Sequence, residues 1–422
     1  MKNKKFFLIW MAILVLSLIM SCDNGTGASG NETGPFATWN LSFDMRRAKL
    51  AFLDSDDSED IEDGIGGLAY GMGKFVVGGS SLCEDENCQY KEIEEIEEIE
   101  GVDYSHFHPT SWYSTDGAKT WKKGGRVFDN TEANGVPRRD LNRNSYVTSL
   151  GFGGGTFIAG IGPDNHRKGY LSTSTDGINW KEVNAVKENK AGGFGAGNIV
   201  FGNETFVYDC DRAGKRLKVS KDYGQNWIYD IYLDGEIVTL SYNHEVNFDN
   251  GLFYTMMGSY GILSSPDGIN WSTVMERGDE NDVFLESLLS GSLFCIDGVF
   301  IVTGANNYEG GSESYIVYSK DNGQTWKPAY CDPELNNFEV GLRSAYIHKI
   351  AYGGGYLVAV GSSWVNGSIA GGEGRIWYSD NLGKSWKTVD RLFPDSLYDV
   401  VYGDGTFVVS DENGKFYYSN VK

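Results

Sequence analysis

The chain has 422 residues, a formal net charge of −22, and 14% aromatic residues with 56 glycines. So acidic a protein does not neutralise nucleic-acid phosphates, so nucleic acid is excluded as a partner. Its length exceeds that of an ordinary single domain, which makes internal repeats the first thing to look for.

The chain opens "MKNKKFFLIWMAILVLSLIMSC". Lys2, Lys4 and Lys5 make a positive n-region, and an uncharged apolar run follows from Phe6 to Met20. A membrane-spanning helix needs about 20 apolar residues and this run is shorter, so a secretory signal peptide over residues 1–21 is expected. Ile19-Met20-Ser21-Cys22 resembles a bacterial lipobox, in which the cysteine receives lipid; Met20 departs from the usual small or branched residue. Removing residues 1–21 takes away three lysines and no acid, so the net charge moves from −22 to −25. Residues 22–36 are rich in Gly, Ser, Thr and Asn and read as a tether. The expectation is an exported domain anchored to a membrane through Cys22, in the cell envelope on the extracytoplasmic side, and monomeric.

From residue 37 onward two signatures alternate. The first is an apolar pair, a glycine-rich turn and an alternating β-prone run: "AYGMGKFVVGG" from 69, "GFGGGTFIAGI" from 151, "VFGNETFVYDC" from 200, "NFDNGLFYTMM" from 247, "FCIDGVFIVTG" from 294, "AYGGGYLVAVG" from 351 and "VYGDGTFVVSD" from 401. This is the pattern of a β-hairpin. The second is a short box with serine first, aspartate third and tryptophan last. It falls at Ser114, Asp116 and Trp121; at Ser174, Asp176 and Trp180; and at Ser220, Asp222 and Trp227. It returns at Ser265, Asp267 and Trp271; at Ser319, Asp321 and Trp326; and at Ser379, Asn381 and Trp386, where asparagine replaces the aspartate. A further copy starts at Ser419 and is not completed. A catalytic constellation normally occurs once, whereas this one recurs, and two copies have lost a residue between Asp and Trp. A turn tolerates that; a tuned active site does not.

Seven modules of about 55 residues, each supplying four strands a to d, predict an all-β, seven-bladed β-propeller over residues 37–422. The seventh module lacks its outer strand. "ATWNLSF" at 37–43 has Trp39 where a box tryptophan would stand, and is expected to supply that strand and close the ring.

The boxes resemble Asp-box (BNR) repeats, found in the sialidase superfamily and in other Asp-box propellers. The resemblance implies that the box is the turn between strands c and d, that its Ser and Asp cap backbone N–H groups, and that its Trp packs between blades. Sialidase catalysis would further require an Arg-Ile-Pro element near the first blade. Arg46 and Arg47 are not followed by it, and the one Arg-Ile pair, Arg375-Ile376, continues with Trp377.

In such a blade the a–b and c–d turns share one end; the d–a and b–c connections share the other. The latter are long and irregular here, notably 80–110, 124–146, 162–169, 183–197, 210–216, 306–314, 329–346 and 362–375, and are where a ligand is expected. They carry Arg138, Arg139, Arg143, Arg167, Arg212, Arg216, Arg343 and Arg375, suited to carboxylates, and Trp364, suited to stacking. Ordinary solvated charge is the competing account of the arginines. Glu313, Glu373 and Asp395 are placed where a glycanase would need paired carboxylates. Cys83 and Cys88 bracket "EDEN" and suit a disulfide in an exported protein. His106 and His108 lack a third ligand at matching spacing, and "DSDDSEDIEDG" from 54 lacks the glycine of a calcium loop, so no metal or cofactor is expected. The leading expectation is a binding or scaffold module for a glycan or protein partner. A glycoside hydrolase of the sialidase-like or Asp-box glycanase type is the alternative.

Overall fold

The computed structural model describes residues 35–36, 38–44, 67–82, 107–128, 146–162, 170–183, 197–210, 216–238, 243–257, 260–276, 292–308, 311–331, 343–365 and 373–421. All regular structure among them is β, in seven sheets whose blade strands are antiparallel and which are the blades of a seven-bladed β-propeller. The chain forms two compact units, Phe43–Tyr229 with blades 1 to 3, and Met1–Ser42 plus Asp230–Lys422 with blades 4 to 7.

In the first unit, blade 1 is Leu68–Gly71, Lys74–Leu82, Phe107–Ser114 and Lys122–Arg126, and blade 2 is Tyr146–Gly153, Thr156–Gly162, Tyr170–Ser174 and Lys181–Val183. Blade 3 is Gly197–Gly202, Thr205–Cys210 and Arg216–Ser220, its outer strand reduced to the single bridge Val219 to Ile228. Glycine closes the gaps between blades. A Cβ on Gly71 would lie 2.3 Å from the Phe152 ring, and one on Gly153 would lie 2.0 Å from that of Phe201. The last glycine of the inner strand in blades 1 and 2 is therefore the seat of the next blade's aromatic.

In the second unit, blade 4 is Asn243–Asp249, Leu252–Met257, Gly261–Ser265 and Asn270–Glu276, extended outward by Ile231–Leu233 and Glu236–Val238. Blade 5 is Ser292–Ile296, Val299–Tyr308, Gly311–Ser319 and Lys327–Pro328. Blade 6 is Arg343–Gly353, Tyr356–Val365, Glu373–Ser379 and Ser385–Thr388, with Tyr330–Cys331 added in parallel at its outer edge. Gly353 seats Tyr402, again with 2.0 Å to a would-be Cβ. Blades 4 and 5 solve the same problem differently. Asp249 stands at the glycine position and Cys295 at the aromatic one. The Asp249 carboxylate accepts from Asp297 N at 3.0 Å and Gly298 N at 2.8 Å, stitching one a–b turn to the next. Burial, and then the Asp249 charge, push the Cys295 thiol well above its ordinary range.

Blade 7 is Leu397–Gly403, Thr406–Asp411 and Lys415–Asn420, and its outer strand is Asn40–Asp44 from the N-terminal segment. Phe36 and Trp39, each 4% exposed, belong to the blade 6 and 7 core with Phe407 and Phe393. Arg391 donates to the Trp39 carbonyl and covers Phe393. The packed segment thus takes in Phe36, one residue before the expected boundary at 37.

Candidate functional site

The boxes come first, because their chemistry is the most repeated. In all six, the first serine's hydroxyl donates to the third residue's side-chain oxygen at 2.7–3.2 Å. The same serine oxygen accepts a backbone N–H from inside the turn at 2.8–3.0 Å, from Gly323 in the blade 5 box and from Ala118, in glycine's place, in the first. Asp321 then accepts from Thr325 N at 2.8 Å and from the Thr325 hydroxyl. The hydroxyl, then the backbone N–H of Thr325, hold the Asp321 carboxyl down at about 2. Asn381 makes the same bonds in blade 6: its Oδ1 accepts from Ser385 N at 2.9 Å and its Nδ2 donates to Ser385 Oγ at 2.7 Å. An ionisable group is therefore not needed there.

Box length changes the count of left-handed residues. The copy at 319 uses two, Asn322 and Gly323 at φ 56° and 80°; the short copies at 174 and 265 each use one, Gly177 and Gly268. The Ile178 and Ile269 carbonyls of those short copies accept from Gly125 N and Tyr232 N, the strand leaving the preceding box. Trp227, Trp271, Trp326 and Trp386 are buried and Trp121 and Trp180 half-buried. Trp121 stacks on Phe43 at 5.8 Å, and Trp180 donates to Ser111 Oγ at 3.0 Å.

Cys22, Cys83, Cys88, Arg138, Arg139, Arg143, Arg167 and Arg212 lie outside the described residues. Arg216 begins a blade 3 strand. Arg343 and Trp364 come together on one hairpin of blade 6, where Arg343 pairs with Val365 and Ser344 with Trp364. Arg375 lies within strand c of that blade, 2% exposed, packed inside the fold instead of standing on a loop. Two stretches expected as loops are partly sheet: blade 5 stays paired out to Tyr308 and Gly311, and blade 6 out to Ser363 and Glu373 between its b and c strands.

Four inner strands carry a bulge that the sequence does not announce: in blade 4 it lies between His244 and Asn247, and in the other three it is a single residue. That residue is Thr148 in blade 2, His348 in blade 6 and Tyr398 in blade 7. A bulge turns its extra residue out of the ladder and often lies beside a site. In the second unit the two bulged residues meet: the His348 and Tyr398 rings stack at 4.3 Å and 25°, with Tyr398 45% exposed. Lys349 and Asp399, the next residue of each strand, pair at 3.0 Å. Burial holds the His348 imidazole down at about 4, so it is neutral at pH 7.

Asp395 lies nearby in sequence but in a different setting. Lys415 bridges it at 2.5 Å to Asp411 at 3.9 Å. Asp411 is fully buried and caps its own turn, accepting from Asn413 N and Lys415 N at 3.0 and 2.8 Å. Burial raises its carboxyl to about 6, against the opposing pull of the Lys415 N–H and ammonium. This carboxylate pair, bridged by Lys415, is a brace for the b–c turn. Among the described residues there is no group of three side chains suited to holding a metal ion.

Residues 317–328 match the BNR/Asp-box repeat family. No curated protein matches the chain. Among solved structures it is similar to YCF48 bound to D1 peptide, at 14% identity and a TM-score of 0.53, over 96% of this chain and 99% of that one. It is also similar to YCF48 from Cyanidioschyzon merolae (14% identity, TM-score 0.49, 90% and 98% covered) and to the endosialidase of phage phi92 (13%, 0.42, 86% and 67%). At these identities the likeness bears on fold alone. With its recurring boxes, their shared hydrogen bonds and its seven blades, the chain is an Asp-box repeat β-propeller.

Proposed function

We propose that this chain is an exported module, lipid-anchored through Cys22, that binds a partner at the loop end of blades 6 and 7, around the His348–Tyr398 stack. The stack carries the reading: it is a solvent-facing aromatic platform set by two matching bulges and flanked by an ion pair. A neutral imidazole against a half-exposed phenol offers flat apolar area with hydrogen-bonding edges, the combination that recurs in binding surfaces. The extended blade 6 hairpin carrying Arg343 and Trp364 lies on the same blade as His348. An extended protein segment suits this surface, and the fold is shared with a propeller whose structure contains a peptide. A glycan is the second ligand class for the same platform.

The test is to present the purified chain with a peptide array and a glycan panel, scoring both retention and cleavage. Retention of a protein segment without cleavage is expected. Catalytic glycan cleavage would replace the binding reading with the hydrolase one, and no retention of either class would end the proposal.

A further inference from the structure

Tyr398 owes its place to the residues on either side of it. Blade 7 pairs Leu397 with Asp411 and then Asp399 with Ser410, which leaves Tyr398 as the extra residue of the bulge. After it, Asp399 pairs with Lys349 at 3.0 Å and accepts from Val400 N at 2.8 Å. Before it, the chain is tied to the b–c turn of its own blade. Glu412 N donates to the Ser396 carbonyl at 2.9 Å, and Ser396 N donates to the Glu412 carboxylate at 3.3 Å. Lys415 Nζ reaches Asp395 Oδ2 at 2.5 Å. Blade 6 backs the same segment: Phe393 and Gly374 exchange backbone hydrogen bonds at 3.1 and 2.9 Å, and a Cβ on Gly374 would lie 2.3 Å from the Asp395 carbonyl oxygen.

The turn that holds this segment closes over a buried carboxyl group. Asp411 is fully buried, and its Oδ1 accepts from Asn413 N and Lys415 N at 3.0 and 2.8 Å. Tyr417 donates to its Oδ2 at 3.4 Å, and the Lys415 ammonium, engaged by Asp395, stands 3.9 Å away. The other charged groups here are Glu412 on the turn, Asp395 before strand a, and Arg391, whose guanidinium covers the Tyr417 ring at 5.6 Å. Blade 6 adds Gly374, Ile376 and Val389, none of them charged. Burial raises the Asp411 carboxyl to about 6, against the pull of Lys415, and the Asp395 charge adds to the rise. Opening of this turn would return the carboxyl to water and to the ordinary range near about 4. The closed turn therefore holds a proton more readily than the open one, and by linkage it is favoured as pH falls through about 6. Protonation also leaves Lys415 undivided for Asp395.

We infer that the Asp411–Lys415–Asp395 bridge positions Tyr398, so that protonating Asp411 strengthens binding at the platform. Asp411 is a positioning residue: it acts through the segment that carries Tyr398. Holding an aromatic anchor in its bound position raises affinity by lowering the cost of ordering it. The inference rests on the His348–Tyr398 platform being the binding surface. A partner is then held more tightly in mildly acidic surroundings than at neutral pH.

Two measurements on the whole mature chain test this at about pH 5 and about pH 7.5, on either side of the Asp411 titration. Burial holds His348 down at about 4, so it stays largely uncharged at both. The first measurement needs no ligand. It is NMR of tyrosine labelled with carbon-13 in the ring, with the Tyr398 signal identified by its loss in Tyr398→Phe. That signal should move with a midpoint near 6 in the native chain and stay still in Asp411→Asn. Lys415→Gln should raise the midpoint, because it removes the cation that favours the charged carboxyl. The second measurement is retention of peptide-array members that lack His, Asp and Glu. It should be at least about fivefold stronger at the acidic pH, a usual size for coupling between sites. Asp411→Asn, an uncharged isostere that keeps the turn's acceptor oxygen, should retain at neutral pH what the native chain retains only in acid. A variant that merely damaged the fold would lose retention instead of gaining it. A Tyr398 signal that stays still, or that moves equally in Asp411→Asn, overturns the positioning whatever the array retains. Equal retention at the two pH values, with the signal moving, overturns the coupling and leaves the platform standing. No retention at either pH ends the platform reading and the coupling with it.

Discussion

At the scale of single residues, the box aspartates and the buried titratable groups respond to different perturbations. Asp222 accepts from Asn226 N at 2.8 Å and from the Asn226 amide at 2.7 Å. Asp222→Ala should cost about 1 kcal/mol, the usual loss for a removed cap. Asp222→Asn should be near neutral, because Asn381 already does this work in blade 6. Trp271, 1% exposed, should cost about 3–5 kcal/mol as Trp271→Ala. Chemical denaturation of the three variants checks the ranking. The pH dependence is set elsewhere. Asp411 rises from 3.8 to about 6, so its stability is complete below pH 3.8 and is lost as pH rises through about 6. His348 falls from 6.5 to about 4, so its stability is complete above pH 6.5 and is lost as pH falls through about 4. Between pH 4 and 6 the two oppose one another. Calorimetric melting of Asp411→Asn should rise with pH across that window, and of His348→Gln should fall; parallel curves for both would refute the assignment. The sequence shows the box plainly, since serine, aspartate and tryptophan recur at one spacing. It does not show His348 or Tyr398, because a bulge is a property of pairing and neither residue is unusual in a strand.

At the scale of strands and blades, the contact that matters most is glycine against aromatic. Gly153→Ala places a Cβ 2.0 Å from Phe201, against a ring fixed in the core of blade 3. It should cost at least about 2–3 kcal/mol, as overpacking does, and Gly153→Ala with Phe201→Leu should recover part of that loss. Additive losses in the double variant would mean that the two do not touch. The glycine-rich turns were legible as hairpins, because positive φ calls for glycine. The exchange of glycine and aromatic for Asp249 and Cys295 was not. Cys295 reads as core from its neighbours, but its acidic companion is one blade earlier in the chain. The hairpin extensions to Tyr308 and Val365 were missed for a related reason: Gly, Asn and Ser signal turns, yet backbone pairing runs through Asn307 and Ser312 regardless of their side chains.

At the scale of the molecule, the N-terminal strand joins the last blade. Trp39 was readable as a box tryptophan displaced to the other end of the chain, and it is buried in the blade 6 and 7 core as that reading requires. Phe36 was not readable, since an aromatic after Gly-Pro looks like the end of a tether. Truncation to Pro35 should leave the melting temperature near that of the whole mature chain. Truncation to Met45 removes Phe36, Trp39 and the outer strand, and should lower stability by several kcal/mol while exposing an edge prone to pairing. Equal melting of the two would mean that the strand is not part of the fold's core. For function, the sequence pointed to the loop end of the blades through its irregular loops, but its arginine candidates did not select a site there, because charge on a loop carries no geometry until the backbone is placed.

The central claim is that the boxes build the blades and the loop end of blades 6 and 7 does the binding. Retention of a ligand from the peptide array by Tyr398→Ala and by Asp222→Asn, each measured well below its own melting transition, tests that division. Retention should fall at least about tenfold for Tyr398→Ala, as at an aromatic hot spot, and stay unchanged for Asp222→Asn. Loss of retention by Asp222→Asn at an unaltered melting temperature, with Tyr398→Ala still binding, would contradict it.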